Sequence, residues 1–267
     1  AEIGFHGDIH VGFKDLPQAQ QEQRMQNMRK ELATVMPDLS RISGFRAPTE
    51  GYDATTEKLL FSMGLRHHVA DPNRTEGRLP LFAKVDGSVP DNDLIVLPRT
   101  QRDDINLYWE KLGVEQTTQA LIDDTDLVVE NGGLGLLSVH TQNFDTSSVL
   151  YKALPAYLVN LKQRRNSVWL ASASKVADWW RDRERFLVRS TFSGKRLEID
   201  VTVIGKTPVT GGTVFIMLPQ KDLLPTVQNT KTSGVKPTVT RVDSYRAAMV
   251  FSSLAPGNYS YQVTFSQ

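Results

Sequence analysis

The chain contains no cysteine and no long apolar run. The lack of cysteine excludes disulfide bonds, thiolate metal ligands and a cysteine nucleophile. No stretch approaches the roughly 18 to 20 apolar residues that a membrane-spanning helix needs, so we expect no membrane span. A net charge of +1 over 267 residues gives no support for nucleic-acid binding, so we expect no nucleic-acid partner. The first residue is alanine rather than methionine, which is expected of a processed or truncated N-terminus.

Charge is unevenly distributed along the chain. Residues 186–267 carry nine Lys/Arg and four Asp/Glu, a net charge of +5, which leaves −4 on residues 1–185. The hydrophobic pattern changes at the same point. The sequence therefore predicts two domains, 1–185 and 186–267.

The first predicted domain alternates helical and strand-like segments. This alternation is typical of a parallel α/β arrangement, either a barrel or an open sheet. Helical spacing or capping residues mark 17–35, 53–64, 150–161 and 174–183, and short apolar runs predict strands at 94–97, 134–139 and 168–171.

The second predicted domain has strand periodicity throughout. Apolar residues alternate with polar ones in 197–204 and 259–265, and further short strands are expected at 213–218 and 247–251. Glycine and proline pairs separate them, so a small all-β sandwich is predicted. Its expected inner face consists of Leu197, Ile199, Val201, Val203, Tyr261, Val263 and Phe265.

Two histidines four residues apart, His6 and His10, follow the apolar segment Ile3–Phe5. On a helical turn such a pair shares one face and can hold a divalent ion, and neutral imidazole suits zinc, nickel, cobalt or iron. The segment lacks the glutamate of an HExxH zinc motif. A surface or core pair without metal is the alternative interpretation.

Two further segments can supply polar groups at strand ends. Arg46-Ala47-Pro48 places a cation beside a stiff loop, where the arginine can orient a carboxylate and a backbone N–H can hold an oxyanion. His140 ends the apolar run that begins at Leu136, a position suited to general acid catalysis. A solvated arginine and a satisfied core histidine are the alternatives.

In this order the three segments resemble the polysaccharide deacetylases of carbohydrate esterase family four. The family's H[ST]xxH motif is similar to His6–His10, with Gly7 in place of the hydroxyl residue. Its RxP motif is similar to Arg46–Pro48, followed here by Thr49-Glu50-Gly51. Its hydrophobic run ending in Leu-His is similar to 136–140. The resemblance covers about residues 1–185.

The resemblance implies a distorted (β/α) barrel and a metal-dependent hydrolase that removes acetyl groups from an acetylated polysaccharide or oligosaccharide. His6 and His10 would ligate a divalent metal, zinc in the first instance and otherwise cobalt, nickel or iron. Thr49, next to Pro48, would contact the oxyanion through its N–H. Arg46 would orient the catalytic base, and His140 would protonate the departing amine.

The family's first motif, a Thr-Phe-Asp-Asp strand that supplies the third metal ligand and the base, is absent from the chain. We therefore expect an incomplete barrel that lacks its first strand or strands, with an open sheet edge beside Ile3–Phe5 through which a homodimer can form. The Asp pairs at 103–104 and 123–124 are interpreted as solvated charges in loops or at helix ends. For the family's fourth motif, an Asp near a Trp, the candidates are Asp71 and Trp109.

Two other interpretations remain open from the sequence. One is a non-catalytic carbohydrate-binding protein on a degenerate deacetylase scaffold. The other is an unrelated α/β protein whose histidines are structural. Because acetylated polymers of this kind lie outside the cytoplasm, the resemblance also implies an extracytoplasmic location, periplasmic or secreted.

Overall fold

The computed structural model describes residues 2–70, 79–193, 196–230 and 234–265. Contacts divide the chain into two compact units. The first contains Ala1–Asp86 and Leu94–Ala177, and the second contains Gly87–Asp93 and Asp178–Gln267.

These units differ from the predicted division at 185/186, because 87–93 and 178–185 group with the C-terminal part. The side chain of Arg185 explains the grouping. It donates to Asp91 Oδ1 at 2.7 Å and to the Thr207 carbonyl at 2.8 Å, so both segments are tied to the loop after residue 203.

The predicted helices of the first unit are present, and local signals set their ends. One helix begins at Asp53, whose side chain accepts from the Thr56 N–H at 3.0 Å, and it ends before Gly64, which has a φ of +77°. The helices are α1 Gln18–Val35, α2 Ala54–Ser62, α3 Asp104–Trp109, α4 Val114–Asn131, α5 Val149–Gln163 and α6 Ala173–Arg185, the last of which continues into the second unit. Short 3₁₀ turns occupy Leu39–Arg41, Pro48–Glu50 and Thr141–Asn143.

The first unit has one mixed sheet. Its strands are β1 Gly44–Arg46, β2 His67–Ala70, β3 Leu81–Phe82 and β4 Ile95–Pro98, in the order β1-β2-β4-β3. The pairs β1–β2 and β2–β4 are parallel, and β3 is antiparallel to β4. The unit is therefore mixed α/β, as predicted, and no closed barrel is seen in the part of the chain that is described.

Two predicted strands are wrong. Residues 133–140 are extended but form no strand, because the neighbouring Thr100 uses its hydroxyl, which donates to the Leu134 carbonyl and accepts from the Leu136 N–H at 3.3 Å. A side chain thus replaces part of the backbone ladder. Residues 168–171 are also irregular, with Trp169 and Leu170 exposed instead of buried in a sheet.

The first unit buries two apolar clusters. In one, the inner faces of α1 and α2 pack with the sheet around Met25, Phe45 and Leu60. In the other, α3, α4 and α5 pack around Leu121 and Tyr157. No helix within the described ranges is both long and apolar enough to cross a lipid bilayer.

The strands of the second unit are all antiparallel, and the alternation predicted for its inner face is confirmed. The strands are β5 Phe186–Ser193, β6 Arg196–Val203, β7 Val209–Thr210, β8 Thr213–Met217, β9 Thr226–Asn229, β10 Thr238–Asp243, β11 Arg246–Val250, β12 Ser253–Leu254 and β13 Gly257–Thr264. Two larger sheets have the orders β5-β6-β13-β9 and β10-β11-β8, and β7 pairs with β12. Five of the predicted inner residues are buried in one cluster, which draws on both larger sheets, and Leu197 and Phe265 pack against it.

Candidate functional site

His6 lies at the carboxyl end of a short extended segment beside β1. Phe5 pairs with Phe45 in a parallel bridge, in which the Phe5 N–H donates to the Gly44 carbonyl and the Arg46 N–H donates to the Phe5 carbonyl, both at 2.9 Å. This register brings His6 next to Arg46, and His6 Nδ1 donates to the Arg46 carbonyl oxygen at 2.8 Å. With Nδ1 carrying the proton, Nε2 keeps the lone pair that a metal or a proton needs.

The segment from His6 to His10 is a bent loop and not the predicted helical turn. The two imidazoles nevertheless come together, with ring centroids 5.3 Å apart and ring planes inclined by 54°. The loop curls back on itself because the Val11 N–H donates to the Ile9 carbonyl at 2.8 Å. Loop curvature, not helical spacing, therefore sets the proximity of the two rings.

Arg24 on α1 fixes this loop. Its guanidinium donates to Asp8 Oδ1 at 2.8 Å, to the Gly12 carbonyl at 2.9 Å, and to the Ile9 and Val11 carbonyls at 3.0 and 2.8 Å. Both charged side chains are largely buried, with exposures of 11% for Arg24 and 8% for Asp8. Arg24 therefore satisfies the polar groups of a loop that has no ladder partners.

Gly7 occupies the position at which the H[ST]xxH motif has a hydroxyl residue, and the structure gives a physical reason for glycine there. Its φ is +120°, and a Cβ at this position would lie 2.8 Å from Pro48 Cγ. A side chain here would have to adopt a rare backbone conformation and displace the Arg46–Pro48 loop. The departure from the family motif is thus tied to close packing between the two motif loops.

Arg46 belongs to a network of charges at the end of β1. Its guanidinium donates to Glu50 Oε1 at 2.9 Å and to the Ser138 hydroxyl. Glu50 also accepts from Arg99 Nε at 2.9 Å, and Arg99 in turn pairs with Asp103 at 3.0 Å. These contacts hold Arg46 rigidly between its own loop and the extended segment that leads to His140.

The loop after Arg46 is locally strained. Thr49 and Glu50 have φ values of +53° and +55°, a region that residues other than glycine seldom adopt. The Thr49 hydroxyl donates to the Pro48 carbonyl at 2.7 Å. Such conformations persist where the surrounding structure holds them, and they concentrate at functional sites.

The buried Asp104 and the partly exposed His140 form a hydrogen-bonded pair, which corrects the interpretation of the Asp103-Asp104 pair as solvated. Both acids are buried. Asp103 caps α3 by accepting from the Asn106 N–H at 2.8 Å, and this fixes Asp104 at the first helical position. Asp104 accepts from His140 Nδ1 at 2.7 Å and from the His140 N–H at 3.1 Å. With Nδ1 engaged by Asp104, Nε2 is the ring nitrogen of His140 that remains for chemistry.

The charges of the candidate residues act on one another. Burial lowers the pKa of His6 most strongly, and the bond to the Arg46 carbonyl raises it. Nearby positive charge on His10, Arg46 and His140 lowers the pKa of His6 further, and the net value lies below the ordinary one. The neutral imidazole, which is the form that ligates metals, is therefore favoured at His6.

Asp104 is held as a carboxylate. Burial raises its pKa, but hydrogen bonds from the ring and the N–H of His140 and from Asn143 lower it, and the net pKa lies below its ordinary value. The anion therefore persists at neutral pH and keeps the orientation and tautomer of the His140 ring fixed.

The two imidazoles fit a divalent ion as a partial set of ligands. They are nitrogen donors, and the Nδ1 bond of His6 leaves Nε2 for coordination. In the ranges that the structure describes, no three His, Asp or Glu side chains converge closely enough to hold a metal. Asp8, which lies between the histidines in sequence, is engaged by Arg24 and Asn27 instead.

Several contacts at the candidate site were not predicted from the sequence. Arg24 and Arg99 carry no sequence signal, because their partners lie far away along the chain. Asp104 had one signal, since it lies five residues before Trp109 and so matches the description of an Asp near a Trp. The other candidate, Asp71, lies outside the described residues.

The fold is similar to a crystal structure from Mycobacterium smegmatis described as a "putative polysaccharide deacetylase". The TM-score is 0.53 and the sequence identity is 18%, over 71% of this chain and 65% of that one. At this identity the likeness concerns the fold alone. No protein-family model and no curated protein matches the chain.

Proposed function

We propose that the protein is a metal-dependent hydrolase that removes acetyl groups from an acetylated polysaccharide. The observation that carries the proposal is the grouping of His6, His10 and Arg46 at one end of a mixed α/β unit, where Arg46 also binds Ser138, two residues before His140. The fold likeness to a protein described as a "putative polysaccharide deacetylase" supports it.

His6 and His10 would hold the ion, which is zinc in our proposal, with cobalt, nickel or iron as alternatives. When bound there, such an ion polarises the acetyl carbonyl and lowers the pKa of a coordinated water. The bond from His6 Nδ1 to the Arg46 carbonyl orients the ring for this role.

The remaining roles belong to the two loops and to His140. The rigid Pro48–Thr49 loop would offer the Thr49 N–H to the developing oxyanion, where a fixed donor is most effective. Arg46, held by Glu50, would keep its charge beside the reacting groups. His140 would deliver a proton from Nε2 to the departing amine while Asp104 holds Nδ1.

Metal content and acetate release test the proposal together. We expect the purified chain, supplied with each metal in turn, to bind about one ion weakly and to release acetate from chito-oligosaccharides slowly, because the Asp motif that would supply the third ligand and the base is absent from this sequence. His6→Ala and His10→Ala should lose both properties. His140→Ala is the matched control, since it should keep the metal and lose acetate release. Metal binding that is unaffected by either of the first two substitutions would contradict the assignment.

A second candidate function is supported by a specific observation. Because the described residues provide only two metal ligands at this site, a non-catalytic carbohydrate-binding protein on the same scaffold is the alternative. Binding of chito-oligosaccharides without acetate release under any metal would favour it. Homodimer formation through the sheet edge beside Phe5 and an extracytoplasmic location remain predictions.

A further inference from the structure

A cavity of about 680 Å³ lies against Asp104 on the side of α3, α4 and the loop before α5. We call it the α3 cavity, and the lining residues that matter here are Asp104, Leu107, Tyr108, Trp109, Thr117 and Leu150. Its volume is within the range of small-molecule sites in proteins. Asp104 lines the cavity and also accepts a hydrogen bond from His140, so a ligand in the cavity would lie near the proposed proton donor.

The floor and the mouth of the α3 cavity differ in character. Leu107 and Leu150 are buried and form an apolar floor. Tyr108 and Trp109 are 76% and 71% exposed, and their rings meet edge to face with centroids 5.8 Å apart. Large aromatic rings left this exposed beside a cavity are suited to stack on a ligand that has an apolar face.

Thr117 supplies a polar group without a partner. The residue is 1% exposed, and its Oγ1 has no hydrogen-bond partner among the described residues. A buried hydroxyl is ordinarily hydrogen-bonded. A ligand that reaches the floor of the cavity with a hydroxyl or an amide can complete this bond.

Charge around the α3 cavity favours a neutral occupant. Asp104 and Asp145 already accept hydrogen bonds from His140 and from the Ser147 and Ser148 N–H groups. Among the described residues that line the cavity, Lys111 is the only basic one. An anionic chain would therefore meet one cation, and a purely hydrocarbon ligand would leave the Thr117 hydroxyl unpaired.

We propose that the α3 cavity binds a neutral sugar residue of the substrate polymer, next to the unit that reacts at His140. A pyranose ring has C–H groups on its faces and hydroxyls on its rim, which matches aromatic rings at the mouth and a hydroxyl at the floor. The inference rests on the proposed function for the identity of the polymer, and on the cavity alone for its chemistry.

Calorimetric titration of penta-N-acetylchitopentaose tests the assignment, with the chain carrying His140→Ala so that the ligand is not consumed. Trp109→Ala should weaken binding about three- to tenfold, as expected for the loss of one aromatic contact. Trp169→Ala is the matched control, since Trp169 is also exposed, at 58%, but does not line the cavity. It should leave the affinity unchanged.

Thr117→Val separates ligand binding from a structural role. We expect weaker binding by about two- to tenfold, together with a urea midpoint that is unchanged or raised, because the deleted hydroxyl has no partner in the part of the chain that the structure describes. Unchanged affinity in both Thr117→Val and Trp109→Ala would overturn the assignment. So would the absence of binding heat, or tighter binding of an oligogalacturonate than of the neutral oligomer.

Acetate release, measured separately on the chain with His140 intact, distinguishes this inference from the proposed function. Binding that depends on Trp109, without acetate release under any metal, rejects the hydrolase and keeps the sugar site. Acetate release whose KM is insensitive to Trp109→Ala and Thr117→Val rejects the sugar site and keeps the hydrolase.

Discussion

The geometry of the loop from His6 to His10 should depend on the Arg24 side chain. Arg24→Ala removes the cation that pairs with the Asp8 carboxylate and leaves three loop carbonyls without their guanidinium donor. Removing one partner of a buried ion pair costs roughly 3–5 kcal/mol. Because this loop can admit water once the side chain is cut back, we expect the lower end of that range, a loss of about 3 kcal/mol in the free energy of unfolding measured with urea.

Loss of the Arg24 side chain should also weaken metal binding. The ring centroids of His6 and His10 are 5.3 Å apart in a curved loop, and Arg24 stabilises this curvature by donating to the carbonyls of Ile9 and Val11. Substitutions that disturb the orientation of metal ligands reduce affinity roughly 10- to 100-fold. A zinc titration against a chromophoric chelator should show a loss of this size in Arg24→Ala.

The effect of Arg24→Ala on stability should depend on pH in a defined direction. Burial raises the pKa of Asp8, but hydrogen bonds from Arg24, the Ile9 N–H and Asn27 lower it, and the net pKa lies below its ordinary value. A depressed folded-state pKa gives stability that is present above the unfolded pKa of about 3.9 and is lost as pH falls through the folded value. The stability difference between the unmodified chain and Arg24→Ala should therefore be constant near neutral pH and shrink below about pH 4.

Two variants serve as controls, one at another position of α1 and one at position 24 itself. Arg29→Ala removes an exposed arginine from α1 and should change the free energy of unfolding by no more than about 0.5 kcal/mol. Arg24→Lys keeps the charge but loses the planar fork, so it should fall between Arg24→Ala and the unmodified chain. If Arg24→Ala matches Arg29→Ala in both stability and zinc affinity, Arg24 does not anchor the loop.

Three further predictions concern other parts of the molecule. Asp104→Asn keeps the shape of the side chain but removes the charge that orients His140, so kcat for acetate release should fall by roughly 10²-fold or more with a smaller change in KM, and equal changes in both would contradict the role. Asp91→Ala deprives the buried Arg185 of its 2.7 Å partner and should cost about 3 kcal/mol in urea unfolding, whereas an unchanged midpoint would show that the pair contributes no stability. Gly7→Ala introduces a Cβ at a φ of +120° and 2.8 Å from a proline ring, so it should cost about 1–3 kcal/mol and lower zinc affinity, while unchanged zinc affinity would mean that the loop accommodates the methyl group.

Elements whose signals are local could be predicted from the sequence. The start and end of α2 follow from Asp53 as a cap and Gly64 as a stop, within a span of a dozen residues. The buried face of 197–203 follows from alternation along a single strand, since each inward side chain is two residues from the next. In both cases the interacting groups are neighbours in sequence.

The motif residues were predictable as candidates, but their arrangement was not. His6 and His10 were expected to meet on a helical turn, and they meet instead because a loop is bound by Arg24 from another element. A guanidinium that satisfies backbone carbonyls leaves no pattern in sequence, because the carbonyls it needs belong to every residue type.

Burial of polar groups was decided by tertiary structure alone. The apolar run 134–139 has the composition of a strand, yet whether it joins a ladder depends on the neighbouring segment, and there the hydroxyl of Thr100 takes the place of backbone groups. Asp104 has the same sequence character as a solvated acid, and it is buried only because His140 arrives from 36 residues away to complete its hydrogen bonds. A charge leaves water only where partners are already in place, and those partners come together only in the folded chain.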